Sequence, residues 1–149
     1  MDVAAMNDFL VAAFPGAPRM YQVVESDHDG VTLHIPFDES QIRPGGTISG
    51  PTMMAMADAA AWMATLARIG PVALSVTSSL TINFLAKPAQ VDLYARGRLL
   101  RLGRRQSVSE VRLWSDGGTP DEPVAFATVW LALRRIRRRL MRDQDTKPT

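Results

Sequence analysis

Asp58 is the residue of this 149-residue chain whose placement most needs a reason. It is the only charged residue between Pro44 and Ala67. On a helix its neighbours three and four positions away include Met54, Ala55, Ala61 and Trp62, none of which can neutralise a carboxylate. Desolvation makes an acid expensive there, so it is retained either for chemistry or inside a hydrogen-bond network with backbone or with a serine of a neighbouring strand. A second chemical element precedes it, Gly46-Thr47-Ile48-Ser49-Gly50-Pro51-Thr52. Read as a helix entrance, this stretch either presents backbone N–H groups to an oxyanion or a polarised carbonyl, or is simply capped by Ser49 or Thr47. Gly50 would let a substrate approach that backbone closely, whereas Pro51 contributes no donor. Asp58 lies eight residues beyond Gly50, about 12 Å along a helix rising ~1.5 Å per residue. The two cannot act on one atom within a single chain. Two chains lying antiparallel would bring Asp58 of one to the Gly50 entrance of the other and place the site at their interface.

The elements that must position these residues are legible in the pattern. Asp2 followed by Val3, Met6, Phe9, Leu10 and Ala13 predicts a short capped helix closed by Pro15-Gly16. Met20 to Glu25 and Val31 to Phe37 read as a hairpin through Asp27-His28-Asp29-Gly30. A loop from Asp38 to Gly46 leads to one long helix over Pro51 to Arg68, apolar nearly all round and therefore expected to be buried on every side, with Gly70-Pro71 as its stop. Ser75 to Leu85 alternates, which places Val76, Leu80, Ile82 and Phe84 on one face and Ser75, Thr77, Ser79, Thr81 and Asn83 on the other. Strands follow over Val91 to Leu102, Gln106 to Trp114 and Val124 to Leu133. The expected architecture is α+β, an antiparallel sheet around one buried helix. A sheet edge left free by such wrapping makes dimerisation the cheapest completion.

The segment Gly46-Thr47-Ile48-Ser49-Gly50-Pro51, followed by Met56-Ala57-Asp58-Ala59-Ala60, resembles the G-x-x-H-G-G … L-A-D signature of hotdog-fold acyl-CoA thioesterases, especially the PaaI-like group related to 4-hydroxybenzoyl-CoA thioesterases. Thr81-Ile82-Asn83-Phe84-Leu85 before Lys87-Pro88-Ala89 resembles the family's next strand, and Gly103-Arg104-Arg105 its later hairpin. The likeness runs from about Val23 to Leu133. It implies a hotdog fold and hydrolysis of an acyl-CoA thioester. Asp58 would be the nucleophile or general base, the Gly50 N–H would polarise the carbonyl oxygen, and Thr65 would help to position water. The alternative is a non-catalytic acyl-CoA or lipid-binding protein of the same fold. Three positions depart from the family pattern: Ser49 replaces its His, Pro51 its second Gly, and Arg43 stands where Asn or Gln is usual. Arg43 is therefore expected to pair with an acidic acyl group, in a substrate pocket with Ser49, Pro51 and Asn83. Coenzyme A would enter as part of the substrate, with Lys87, Arg101, Arg104 and Arg105 as cations for its phosphates; the other reading of these cations is a solvated rim. Met53, Met54, Met56, Trp62 and Met63 line either an acyl tunnel or, more simply, the helix core.

Composition narrows the alternatives. No cysteine is present, which excludes a disulfide scaffold, a thiol nucleophile and thiolate metal sites. His28 sits in a turn and His34 on a strand without a spaced second ligand, so both read as structural or solvated and no metal is expected. The net charge of +2 is concentrated in residues 134–149, where six arginines and Lys147 face only Asp143 and Asp145. That run could bind phosphate, anionic lipid or nucleic acid, but it lacks interleaved aromatics, so a solvated tail and no nucleic-acid partner are expected. With no leader pattern and no bilayer-length apolar run, the expectation is a cytoplasmic single domain: residues 1–19 as N-terminal helix and loop, 20–133 as core and 134–149 as basic tail. It would work as a homodimer or a dimer of dimers.

Overall fold

The computed structural model describes residues 1–13, 21–71 and 75–134. The expected helix stop at Pro15-Gly16, the strand start at Met20 and the arginine run beyond Arg134 lie outside the described residues. Helix α1 (Val3–Ala13) is capped by Asp2, whose Oδ1 accepts from the Ala5 N–H at 2.8 Å. It buries Met6 and Leu10, and Asn7 pins it to the sheet through two hydrogen bonds with the Val23 backbone, at 2.8 and 3.0 Å.

Strands β1 (Gln22–Ser26) and β2 (Gly30–Ile35) form the expected hairpin. Its turn is built by Asp27, whose carboxylate accepts from the Asp29 and Gly30 N–H groups. After a single 3-10 turn (Glu39–Gln41) comes helix α2 (Gly50–Ile69), then β3 (Ser75–Phe84), β4 (Leu93–Leu102), β5 (Gln106–Ser115) and β6 (Ala125–Leu133). All six strands make one antiparallel sheet in the order β1-β2-β4-β5-β6-β3. β3 therefore crosses to the far edge and pairs only with β6 among the described residues.

One sheet face packs on α2. Leu33, Ala95, Leu113, Ala127 and Val129 are buried there, while alternate residues such as Arg96, Arg112 and Trp130 point away. The helix meets this face with small residues, Ala57, Ala60, Ala61 and Ala64, all buried. Gly97 of β4 marks the closest approach: a Cβ there would lie 2.5 Å from the Ala60 carbonyl oxygen, so only glycine fits.

Two expectations need correction. α2 is not covered on every side: Pro51, Met54 and Ala55 are exposed and Asp58, Ala59 and Trp62 only partly buried, an uncovered stripe at helical spacing. Apolar composition misled because the sheet of one chain reaches around only part of the helix. The second correction concerns β3. Its register with β6 shifts between Thr77 and Ser79, so Ser78 is an extra, bulged residue. Before the bulge Ser75 and Thr77 turn inward and Val76 outward, 61% exposed; after it Leu80 and Ile82 turn inward. Thr77 and Leu80 therefore share the helix-facing side, against the simple alternation read from the sequence.

His34 lies on the outer sheet face and His28 in the β1–β2 turn. His34 Nε2 lies 2.8 Å from Asp92 Oδ2, beside the stacked Tyr94 and Trp114, and His28 is exposed next to Asp29. His28 is solvated as expected, whereas His34 is held by a carboxylate, Asp92, that no sequence spacing signalled because it comes from 58 residues away.

Candidate active site

The bulge in β3 brings the Thr77 hydroxyl to Asp58, to which it donates a hydrogen bond at Oδ1. Among the described residues Oδ2 has no hydrogen-bond partner. The acid thus belongs to a polar network with a neighbouring strand, as one reading of the sequence anticipated, and it also opens on a cavity. That cavity, about 520 Å³, is lined by Asp58, Thr77, Tyr21, Trp62, Leu10 and Leu131 among others. Its volume falls in the usual range of small-ligand pockets, ~300–1,000 Å³. Trp62 Nε1 donates to Ser75 Oγ at 2.8 Å on its wall. Burial, and then the negative charge of Asp58, push the Tyr21 phenol above its ordinary value, so it stays protonated.

Gly50 occupies the first position of α2, and among the described residues nothing accepts from its N–H. The entrance is held by a tight loop in which Arg43 N–H donates to Thr47 O at 2.9 Å, Gly46 N–H to Arg43 O at 3.1 Å, and Ser49 N–H to Gln41 O at 2.8 Å. Gly45 (φ 106°) and Gly46 (φ 81°) make that turn possible. Ser49 is the N-cap, its hydroxyl engaged with the Thr52 N–H and Oγ1. The Phe84 ring lies 3.1 Å from where a Gly50 Cβ would stand. Asp58 is therefore registered against Thr77 near one end of β3, and Gly50 against Phe84 at the other.

The remaining site expectations distribute as follows. Thr65 is fully buried, donates to Ala61 O at 3.0 Å and bonds Ser107 Oγ at 2.9 Å; it does not line the cavity. Arg43 is exposed, its Nε donating to Pro44 O at 3.4 Å, and Pro51 is exposed at the helix start. Asn83 pairs with Phe126 on the outer face and is exposed. Lys87 follows β3 at the Gly50 end, whereas Arg101, Arg104 and Arg105 are exposed around the β4–β5 turn. That turn borders the Ser75 end of the sheet, since Gln106 pairs with Ala132 and Ala132 with Val76. One chain does not gather the four cations. Thr77 and Tyr21 are the residues beside Asp58 in the cavity wall that sequence reasoning missed. Among the described residues one group, Asp27, His28 and Asp29, has ligand atoms close enough for a metal ion; all three are exposed and Asp27 is engaged by Arg96. No helix among them is long and apolar enough to cross a membrane.

The sequence profile of the thioesterase superfamily matches residues 45–121, just over half of the chain and spanning both Gly50 and Asp58. No curated protein matches the sequence. Among solved structures, a candidate thioesterase from Silicibacter sp. TM1040 is 32% identical with a TM-score of 0.82, over 91% of this chain and 93% of that one. A thioesterase variant from Pseudomonas aeruginosa (22% identical, TM-score 0.76, 89% and 93% covered) and zebra fish thioesterase superfamily member 2 (19%, 0.75, 90% and 99%) share the fold. A six-stranded antiparallel sheet with one long helix packed across it, together with these matches, makes this chain a hotdog-fold member of the thioesterase superfamily.

Proposed function

We propose that the protein hydrolyses acyl-CoA thioesters at a site completed by two copies of the chain, with Asp58 from one and the Gly50 amide from the other. The observation that carries this reading is the pairing of each group with β3. Asp58 accepts from Thr77, and Gly50 packs on Phe84. β3 is an edge strand, and the uncovered stripe of α2 supplies Met54, Ala55 and Ala59 around Asp58. An antiparallel pairing of two β3 edges about a two-fold axis at Thr81 sets Leu80 opposite Ile82 and Ser79 opposite Asn83. With Ser78 bulged, Thr77 then falls opposite Phe84. Every pair so formed has both members on the same sheet face, and Asp58 of one chain meets Gly50 of the other. The partner's Lys87 arrives at the end of the sheet that holds Arg101, Arg104 and Arg105, a suitable cationic setting for the CoA phosphates.

In this site the partner's Gly50 N–H polarises the thioester carbonyl and stabilises the oxyanion. In one course Asp58 takes a proton from a water that forms the new C–O bond, the C–S bond breaks and the proton passes to the departing thiolate. In the other Asp58 attacks the carbon itself and expels the thiolate, which takes its proton from solvent, and water then hydrolyses the resulting mixed anhydride to free the acid and regenerate the carboxylate. Thr77 donates to Oδ1 and so fixes the carboxylate while leaving Oδ2 for the reaction, and Thr65, buried away from the cavity, is not placed to position the water. Pro51 supplies no second amide and the Ser49 hydroxyl is spent as a cap, so binding without turnover is the competing outcome. Thiol release from a panel of acyl-CoAs tests the two. Asp58→Asn should lower kcat by about 10³-fold, within the ~10²–10⁴ of general acid–base catalysis. Saturable CoA-ester binding with no turnover by the wild type would favour the binder, and equal turnover in the variant would place the acid elsewhere.

A further inference from the structure

We propose that Tyr21 reads the acyl group: its hydroxyl donates a hydrogen bond to an acceptor oxygen on the acyl portion, so the Asp58 cavity prefers an oxygen-bearing acyl chain to an all-carbon one. The inference rests on the thioesterase reading above and deepens it. Tyr21 stands just ahead of β1, where Asn7 fixes α1 to the Val23 backbone, and it lines the same cavity as Asp58. Most of the remaining wall is apolar, including Leu10, Ala59, Val76 and Leu131.

The polar side chains nearest the acid already have partners. Trp62 Nε1 is committed to Ser75, and the Thr77 hydroxyl to Asp58. The Tyr21 hydroxyl bonds nothing among the described residues, although its ring is partly buried. Burial and the neighbouring carboxylate both hold the phenol in its neutral form. That disfavours it as a proton source for a departing thiolate and suits it as a fixed hydrogen-bond donor. An acyl chain without an acceptor would displace water from this hydroxyl and leave it unpaired, a penalty the correct substrate avoids.

Acyl-CoAs matched in shape, alkoxy against alkyl with oxygen replacing CH₂ at successive positions, provide the test. For at least one position the wild type should favour the oxygen member by about tenfold in kcat/KM, and Tyr21→Phe should bring that ratio to near unity while melting at the wild-type temperature. The same pairs as non-hydrolysable thioether analogues should show the same ratio in Kd. A wild type that hydrolyses both members equally at every position, or a Tyr21→Phe ratio equal to that of the wild type, would overturn the role of Tyr21 and leave the thioesterase reading standing. Failure to hydrolyse any thioester would overturn that reading instead, and the Kd ratio would still decide the role of Tyr21.

Discussion

The two flanks of α2 are built on opposite principles. On one, Ala57, Ala60, Ala61 and Ala64 press against the sheet so closely that β4 must offer Gly97. On the other, Met54, Ala55, Asp58 and Trp62 stay partly or wholly uncovered beside an unpaired strand edge, and there the acid sits over a cavity. The closed flank uses small side chains to bring backbone near backbone and contributes stability. The open flank carries larger or charged side chains that the same chain covers only in part, and holds the candidate acid. A charged residue is tolerated in the helix because it lies on the second flank and not on the first.

Three outcomes would break or sharpen this contrast. The largest effect is expected on the closed flank: Gly97→Ala places a methyl group against a backbone carbonyl that cannot rotate away. It should cost about 3 kcal/mol in urea unfolding, the upper end of ordinary overpacking. A loss below ~0.5 kcal/mol, the size of a typical surface change, would mean the helix does not sit this close. The open flank is addressed by cross-linking. Because the chain has no cysteine, Thr81→Cys introduces a single thiol at the proposed axis. Mild oxidation should convert most of the protein to a disulfide-linked dimer on non-reducing gels, since directly opposed strand residues have Cα atoms ~4.5–5.5 Å apart, within disulfide reach. Efficient linking at Ser79→Cys and none at Thr81→Cys would move the axis.

The smallest effect lies behind the closed flank, where Arg96 of β4 grips Asp27 of the hairpin turn with bonds of 2.8 and 2.9 Å. The Arg96 bond, helped by the Asp29 and Gly30 N–H groups, lowers the Asp27 carboxyl to about 2, against an ordinary ~3.9. A carboxyl lowered by folding stabilises the native state above its unfolded value and ceases to as pH falls through the folded one. Stability should therefore decline modestly between about pH 4 and pH 2, discounted by solvent screening. Arg96→Gln should flatten that limb in acid denaturation curves, and an unchanged limb would assign it to other carboxylates.

Much of this was legible in the residue pattern, for identifiable reasons. The long helix, the hairpin and the strand succession follow from periodicity and from turn residues such as Gly30 and Gly103, which act locally. Asp58 was conspicuous because a single charge in an apolar helix is a compositional anomaly. Gly50 and Asp58 were separable by counting helical rise alone. Thr77 was hidden because a bulge depends on how β3 pairs with β6, a partner more than forty residues away. Tyr21 was hidden because the cavity joins residues before β1 to the middle of α2, with no spacing to signal it. Thr65 illustrates the converse: it lies two helical turns beyond Asp58, but its hydroxyl is consumed by Ala61 and Ser107. The four cations look like a set in composition, yet the topology sends Lys87 to one end of the sheet and the three arginines to the other.

Ser78 acts as a phase shifter. By adding one residue without a cross-strand partner, it lets a hydroxyl and two aliphatic side chains three and five positions later face the same helix, which no strictly two-periodic strand allows. Deleting Ser78 would make Thr77 opposite Leu131 and Ser79 opposite Trp130 consecutive pairs and leave the threonine toward the helix, whereas drawing Ser78 into the ladder would put the threonine and Leu80 on opposite faces. Relatives of this chain should therefore be aligned from that kink outward, because a gap misplaced by one position there would assign the helix-facing hydroxyl to the wrong residue.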